Sequence, residues 1–181
     1  MIIMDRIPLK THPYLFDKAV QNIQKALGAN LGWLDHAFGL AERITRVIDG
    51  KKYILPNLWV GGNEYIDLLP DRMMGSFSFC CLDEPQKCTD GRMKARVQVV
   101  VWWDTRKVDA ELRDTERVKS QVLDALSRAG GCEVAEIYDR PASVYKGFTF
   151  DETAAYALMH PFAGIRVGVD CYVEPDCNPY V

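Results

Sequence analysis

The clearest hydrophobic pattern lies in the middle of the chain. Residues 94–103, KARVQVVVWW, begin with apolar side chains alternating with polar ones, and this alternation predicts a β-strand. From Val100 onward both faces are apolar, because Trp102 falls on the face that begins with lysine and arginine. We therefore expect the strand to start half-exposed and to end covered on both sides.

A long amphipathic helix is predicted after this strand. Charged residues lie largely on one side of it, and apolar residues recur at helical spacing on the other. The apolar residues are Val118, Val122, Ala125, Leu126 and Ala129. Asp114 or Thr115 is suited to cap the start of the helix, and Gly130-Gly131 is suited to end it.

The N-terminal part of the chain predicts another helix, over residues 11–27. Thr11 or His12 is expected to cap it, with Pro13 in the first turn and Gly28 as the stop. Its apolar face consists of Phe16, Ala19, Val20, Ile23 and Leu27.

A β-hairpin follows this helix. Residues 38–48, FGLAERITRVI, predict its first strand, and residues 51–55, KKYIL, predict its second. Asp49-Gly50 between them is a strong two-residue turn signal. The charged side chains of the first strand favour a position at the edge of a sheet. Pro56 is expected to end the second strand.

Residues 56–75, PNLWVGGNEYIDLLPDRMMG, are apolar without a lasting period. A short strand near residues 65–68 is compatible with them. Two interpretations stay open: the stretch is a loop folded over its own core, or it packs on another subunit. Aromatic and methionine-rich irregular stretches are common at protein interfaces.

Three further strands complete the predicted sheet. Residues 76–82 are expected to pair antiparallel with the central strand, residues 133–140 predict a short strand, and residues 165–174 alternate cleanly. A short helix is predicted over residues 151–159. Together the elements predict an α/β (α+β) fold, with a mixed, mainly antiparallel sheet on which the N-terminal helix and the long amphipathic helix pack.

The length and the composition are those of an ordinary globular protein. The chain has 181 residues, 48% of them hydrophobic and 26% charged, which argues against wholesale disorder. This length suits one well-filled core, and we find no internal repeat or linker. We therefore expect a single domain over residues 1–181, with its core in about 11–174.

Charge and hydropathy argue against two classes of partner. The net charge is −3 with an isoelectric point near 5.6, and no basic stripe is present, so sequence-specific binding of nucleic acid is not expected. No apolar run approaches the length of a membrane span, and the first ten residues lack the charged lead-in of a signal sequence. We expect a cytoplasm-like compartment and no membrane partner.

The six cysteines do not form a recognisable site. They are Cys80, Cys81, Cys88, Cys132, Cys171 and Cys177. Structural zinc usually requires paired ligands with two to four residues between them, and this spacing is absent. A disulfide framework belongs to small secreted chains. We expect free, buried cysteines and no metal.

No catalytic constellation emerges from the motifs. His160 is the best available base, with Asp151 or Glu152 near it in sequence, but no nucleophile lies on a recognisable strand-to-helix turn. The glycine pairs at 61–62 and 130–131 match neither the dinucleotide-binding pattern nor the P-loop. We expect no catalytic residue, no metal ligand and no cofactor.

The order of elements resembles that of the tail-terminator (tail-completion) proteins of long-tailed bacteriophages and their prophage relatives. The resemblance covers roughly Thr11–Glu174. It is carried by the helix that leads into the hairpin FGLAERITRVIDGKKYIL, by the strand RVQVVVWWDTRKV with its following helix, and by the closing strand HPFAGIRVGVDCYVE. The family's fold is a mixed α/β sheet with helices packed against it.

This resemblance implies a non-enzymatic structural protein of the virion. In this family the subunits form a ring, commonly hexameric, that caps the tail tube and joins it to the head connector after assembly in the host cytoplasm. DNA passes through such a ring, and an acidic net charge suits a protein that lines the passage without gripping the DNA. A neck or head-completion role stays open beside that of tail terminator.

Contacts between subunits and with the tail tube are expected in the segments 56–75 and 83–91. The candidate interface residues are Trp59, Tyr65, Met73, Met74, Glu84, Lys87, Tyr145 and Phe148. Two other classes of function remain open. One is a small cytoplasmic enzyme that uses His160 with a cysteine or a carboxylate. The other is a monomeric binding module, in which the Trp59 and Met73-Met74 loop covers its own core.

Overall fold

The structure is a computed structural model that describes residues 5–61, 64–69, 75–84, 86–89, 91–108, 114–150 and 160–174. The helices in these residues are α1 (Phe16–Asn30), α2 (Thr115–Ser127) and α3 (Pro141–Val144). The strands are β1 (His36–Leu40), β2 (Glu42–Ile48), β3 (Lys51–Gly61), β4 (Glu64–Asp67), β5 (Phe77–Leu82), β6 (Lys87–Thr89), β7 (Arg92–Asp104), β8 (Cys132–Tyr138) and β9 (Phe162–Val173).

The strands form two sheets. The main sheet has the order β1-β5-β7-β9-β8, with β6 paired to β7, and the small sheet has the order β2-β3-β4. In the main sheet β1 runs parallel to β5, while the other pairs are antiparallel. The small sheet is antiparallel throughout. The predicted fold class, α+β with a mixed and mainly antiparallel sheet, is confirmed.

The central strand β7 has the two faces that its sequence predicts. It pairs with β5 on one side and with β9 on the other. In the pair with β9, Met93 lies opposite Val173 at one end and Asp104 lies opposite Phe162 at the other. Val100 and Trp102 are buried on the face away from the long helices, as expected from the apolar end of the pattern. The predicted antiparallel pairing of β5 with β7 is confirmed.

The first core lies between the main sheet and the two long helices. Its sheet residues come mainly from β7 and β9: Val97, Val99, Val101, Trp103, Ile165, Val167, Val169 and Cys171. Its α2 residues are Val118, Val122, Ala125 and Leu126, the predicted apolar face. Asp114 caps α2, because its Oδ1 accepts a hydrogen bond of 2.9 Å from Glu116 N.

Two predicted boundaries of α1 are wrong. The helix begins at Phe16 rather than near Thr11, so Pro13 precedes it. It also continues through Gly28 to Asn30. Gly28 serves packing rather than termination, since a Cβ at this position would collide with Cδ1 of Ile7.

The second core lies on the opposite face of the main sheet. It joins that face to the small sheet and to the segment around α3: Phe38, Ala41, Leu58, Leu68, Phe77, Phe79, Cys81, Val100, Trp102, Val144 and Tyr145. The main sheet is therefore covered on both faces over much of its area, which explains why β5 and the end of β7 are apolar on both sides.

The predicted hairpin strand 38–48 is wrong as a single strand, because the chain changes sheets at Ala41. β1 is buried on both faces, whereas β2 is mostly exposed. Ala41 N donates the last bond to the main sheet, to Cys80 O at 2.7 Å, and Glu42 then pairs with Asn57 in the small sheet. The first half of the predicted strand is apolar and the second half is charged, so the two halves could not both lie in the buried main sheet.

Pro56 does not end β3, contrary to prediction. Its carbonyl accepts from Leu68 N at 2.8 Å, on the β4 side of the strand. The backbone N–H and C=O of a strand residue point to the same side of the strand. Because the Pro56 carbonyl points toward β4, the N–H that proline lacks removes no hydrogen bond with β2. β3 therefore runs to Gly61, and β4 follows at Glu64–Asp67. Much of the stretch predicted to be irregular is thus sheet.

Some of the remaining predictions are confirmed, and others concern residues that the structure does not describe. The strands predicted near 133–140 and 165–174 appear as β8 and β9, and α3 begins at Pro141. Cys80, Cys81 and Cys171 are free and buried as expected, whereas Cys132 is half-buried and Cys88 is exposed. The helix predicted at 151–159 and Cys177 lie outside the described residues.

Candidate interaction surface

The small sheet exposes a pair of aromatic side chains in adjacent strands. Trp59 of β3 lies opposite Tyr65 of β4, and their rings meet edge to face with centroids 5.0 Å apart. Trp59 is 46% exposed and Tyr65 39% exposed, with the exposed Val60 beside them. We call Trp59 and Tyr65 the aromatic surface.

This arrangement follows from the alternation of β3. Leu58 points into the second core, so its neighbour Trp59 must point outward. The hydroxyl of Tyr65 donates to Glu42 Oε2 at 3.3 Å, which ties β4 to β2 across β3. Partial loss of water and the nearby Glu42 carboxylate raise the pKa of Tyr65, so the phenol stays protonated and able to donate.

Ion pairs and hydrogen bonds hold the small sheet together behind the aromatic surface. Arg46 Nη2 lies 2.8 Å from Asp67 Oδ1, and Arg46 Nη1 donates to Asp67 Oδ2 at 3.0 Å. Asn57 is fully buried between the two and donates to Leu55 O at 3.0 Å. Because these contacts fix β2, β3 and β4 together, the aromatic surface is presented on a rigid support.

A groove of about 720 Å³ runs beside the aromatic surface. Trp59 and Tyr65 line one wall, and α1, β1 and the segment before α1 line the other. Arg6 O accepts from Ala37 N at 2.8 Å, and Gln24 Nε2 donates to the carbonyls of Pro8 and Ala37. The segment before α1 is thus anchored to the outer edge of β1.

A second exposed apolar surface lies at the other end of the main sheet. β8 is its terminal strand, and Val134 and Ile137 are 41% and 43% exposed. We call these two residues the β8 edge. At the tip of the β2–β3 hairpin, Val47 and Ile48 are also exposed.

The other predicted interface residues lie elsewhere. Glu84 is exposed between β5 and β6, and Lys87 is exposed at the start of β6. Tyr145 is buried in the second core and Phe148 packs against that core, where both contact Phe150. Met73 and Met74 lie outside the described residues. The structure therefore brings together Trp59 and Tyr65, and separately Tyr145 and Phe148.

Val134 and Ile137 were not among the interface residues predicted from the sequence, although both are exposed. The apolar character of these residues was visible in the sequence, but it did not show whether they are exposed, because a half-exposed edge strand and a buried strand carry the same apolar residues. Only the strand order shows that β8 is terminal.

His160, the base of the enzymatic alternative, is exposed in a shallow recess of about 200 Å³. Asp139 and Tyr145 also line the recess, and the described lining residues include no cysteine. Hydrogen bonds from Lys119 hold the pKa of Asp139 below its usual range, while burial raises the pKa of Tyr145. The enzymatic alternative stays a prediction.

Within the part of the chain that the structure describes, no three metal-binding side chains come together. In that same part, no helix has the length and apolar character needed to cross a membrane. Comparison of this chain with protein-family models, with curated proteins and with solved structures gives no match.

Proposed function

We propose that this chain is a non-enzymatic assembly subunit that joins copies of itself into a ring, as in the tail-terminator (tail-completion) family that its element order resembles. The observation that carries the proposal is the exposed Trp59–Tyr65 pair on the small sheet. Aromatic residues are enriched at protein interfaces, and an exposed cluster of them costs free energy until a partner covers it.

A ring requires two different surfaces on each subunit. A twofold dimer uses one self-complementary patch, whereas a ring joins a patch on one copy to a different patch on the next. The aromatic surface lies beside the groove at β1, and the β8 edge is at the opposite end of the strand order. Two apolar surfaces at opposite ends support a head-to-tail arrangement.

In this proposal the ring, commonly a hexamer in the family, belongs to a virion and forms in the host cytoplasm. Its partners are the tail-tube and head-connector proteins, and DNA passes through it. The net charge of −3 suits a passage that does not grip DNA. The exposed Glu84, after β5, and the exposed Lys87, at the start of β6, are candidates for contacts with these partners.

The proposal is tested by the solution mass of single and mixed variants. Trp59→Glu places a charge on the aromatic surface, and Ile137→Glu places one on the β8 edge. We expect light scattering to show a ring of fixed number for the wild type and a monomer for each variant. An equimolar mixture of the variants should give a heterodimer, because each retains the surface that the other has lost.

Tyr14→Glu is the matched control. Tyr14 is exposed, but it belongs to neither surface, so this variant should form the same ring as the wild type. A wild-type protein that stays monomeric at every concentration contradicts the proposal. Self-association of Ile137→Glu alone into a dimer would instead indicate a twofold interface at the aromatic surface.

A further inference from the structure

A polar cleft of about 470 Å³ lies on the face of the main sheet opposite the long helices. β7 contributes Arg96 and Gln98 to it, on the same face as Val100 further along the strand. β9 contributes Arg166, β8 contributes Tyr138, and Arg43 and Lys146 close the sides. We call this the Arg166 cleft.

Arg166 is the unusual member of the cleft. It is only 6% exposed, and its guanidinium carbon lies 4.4 Å from the centre of the Tyr138 ring. Nη1 donates a long bond of 3.4 Å to Lys146 O, while the buried Nε has no hydrogen-bond partner in the described part of the chain. Within the described residues no carboxylate pairs with Arg166, although a buried charge is costly unless it is paired.

The other two arginines of the cleft are paired. Arg96 Nε donates to Asp170 Oδ1 at 2.8 Å, and Arg96 Nη1 donates to Glu136. Arg43 Nη2 lies 3.4 Å from Asp83 Oδ1. Arg166 is therefore the arginine of the cleft without a carboxylate partner among the described residues.

Gln98 adds a second unsatisfied group. Its Nε2 donates to Asp83 Oδ2 at 2.6 Å, which fixes the amide orientation, and its buried Oε1 has no hydrogen-bond partner among the residues that the structure describes. Gly168 lies directly opposite Gln98 on β9. The side chains of Glu136 and Arg96 pack over Gly168, since a Cβ there would lie 3.3 Å from Glu136 Cβ and 3.4 Å from Arg96 Cδ.

The charge of the cleft is positive. Among the described residues, four cationic side chains and two carboxylates line it. The neighbouring Lys94 and Asp170 form a further ion pair of 2.8 Å, which adds no net charge. The volume is within the range of small-molecule sites, about 300–1,000 Å³.

We propose that the Arg166 cleft binds a small oxyanion that carries a hydroxyl or amino group next to its charged group. A carboxylate or phosphate of the ligand accepts from the Nε edge of Arg166, where planar donors match such groups well. The neighbouring hydroxyl or amino group donates to Gln98 Oε1. This binding is independent of the proposed ring, since neither Trp59 nor Ile137 lines the cleft.

The test uses three probes: malate, succinate and glycerol 3-phosphate. Sodium chloride at equal ionic strength is the reference, and binding is measured by isothermal titration calorimetry and by the shift of the unfolding temperature. Malate should bind about three- to tenfold more tightly than succinate, which lacks the hydroxyl. The relative affinities of malate and glycerol 3-phosphate separate a carboxylate ligand from a phosphate ligand.

Two variants and a control accompany the probes. Arg166→Met keeps the contact with Tyr138 and removes the unpaired charge, so it should abolish binding while leaving the unfolding temperature without ligand equal or higher. Lys146→Met changes an exposed side chain and should weaken binding severalfold. Lys25→Met removes an exposed lysine of α1 outside the cleft and should bind as the wild type does.

Two results would overturn the proposal. One is that no probe binds the wild type more than chloride accounts for. The other is that Arg166→Met and Lys146→Met bind the probes as well as Lys25→Met does. Equal affinity for malate and succinate would remove the role assigned to Gln98.

Discussion

Asp104 and Arg106 form a two-pronged ion pair where β7 leaves the main sheet. Asp104 Oδ2 accepts from Arg106 Nη2 at 2.7 Å, and Oδ1 accepts from Nε at 3.0 Å and from the backbone N at 2.9 Å. The Asp104 side chain is almost fully buried. The hydrogen bonds from Arg106 hold the pKa of Asp104 below its ordinary value, against the opposing effect of burial.

Asp104→Asn should therefore lower the free energy of unfolding at pH 7 by about 1–3 kcal/mol, since it removes a charged acceptor from a buried site. The folded pKa is lower than the unfolded one. The contribution is therefore fully present above the unfolded value of about 3.9, and is lost as the pH falls through the folded value. Urea unfolding at pH 7 and at successively lower pH measures the difference between variant and wild type.

Asp139→Asn is the matched control for this experiment. Asp139 also pairs with a cation, Lys119, at 2.9 Å, but it is exposed, so its replacement should change the free energy of unfolding by at most about 1 kcal/mol. If the two variants lost the same free energy of unfolding, burial of Asp104 would not strengthen its ion pair with Arg106.

Cys132 and Cys171 should form a disulfide on mild oxidation. They lie directly opposite in β8 and β9, with their Sγ atoms 3.4 Å apart. The hydrogen bond from Cys171 lowers the pKa of Cys132, which favours the reactive thiolate. After diamide treatment of a Cys88→Ser protein, mass spectrometry should show one linked peptide containing both cysteines.

The linked peptide should be absent when Cys132 is also changed to serine. Cys80 and Cys81 provide an internal comparison, because they are adjacent on β5 with their side chains in different cores and should stay reduced. A disulfide that involves Cys80 or Cys81 instead would contradict the predicted pairing.

Gly75→Ala should destabilise the protein more than Gly50→Ala. Both glycines have a positive φ, +69° at Gly75 and +74° at Gly50, which costs an alanine about 1 kcal/mol. A Cβ at Gly75 would also collide with the Asp35 carboxylate, whose Oδ2 accepts from Ser76 N at 2.8 Å. A Cβ at Gly50 meets no atom within 4 Å. Thermal unfolding should give the larger decrease for Gly75→Ala, and equal decreases would refute the predicted collision.

Acrylamide quenching of tryptophan fluorescence should depend on protein concentration. The chain has four tryptophans; Trp102 and Trp103 are buried, and Trp59 is the most exposed of them. If subunits associate through the aromatic surface, the quenchable fraction should fall as the protein is concentrated. Trp59→Phe should be weakly quenched at every concentration, and a wild-type signal independent of concentration would argue against burial of Trp59.

Much of the fold was predictable because local patterns report local burial. The alternation of β7 and the helical spacing of α2 each predicted the buried face, and Val100 and Trp102 correctly indicated a second core. The break at Ala41 was not predictable. FGLAERITRVI reads as one strand until it is known that Cys80 pairs beside its first half and Asn57 beside its second.

The candidate sites were predictable only in part. Trp59 and Tyr65 stood out by composition, but their pairing required the register of β3 with β4. Arg166 looked like an ordinary polar residue on the outward face of the last strand. It is buried because β8 places Tyr138 against it, a contact between residues distant in sequence.

The sequence by itself determined which faces of its periodic segments are apolar, because side-chain periodicity is a property of the local chain. Tertiary structure alone decided which apolar faces stay exposed and which charged side chains are buried away from water. Trp59 and Trp102 are the same residue type in similar strands, yet one is exposed and the other buried. The difference depends on the neighbours that strand order supplies, which no local pattern encodes.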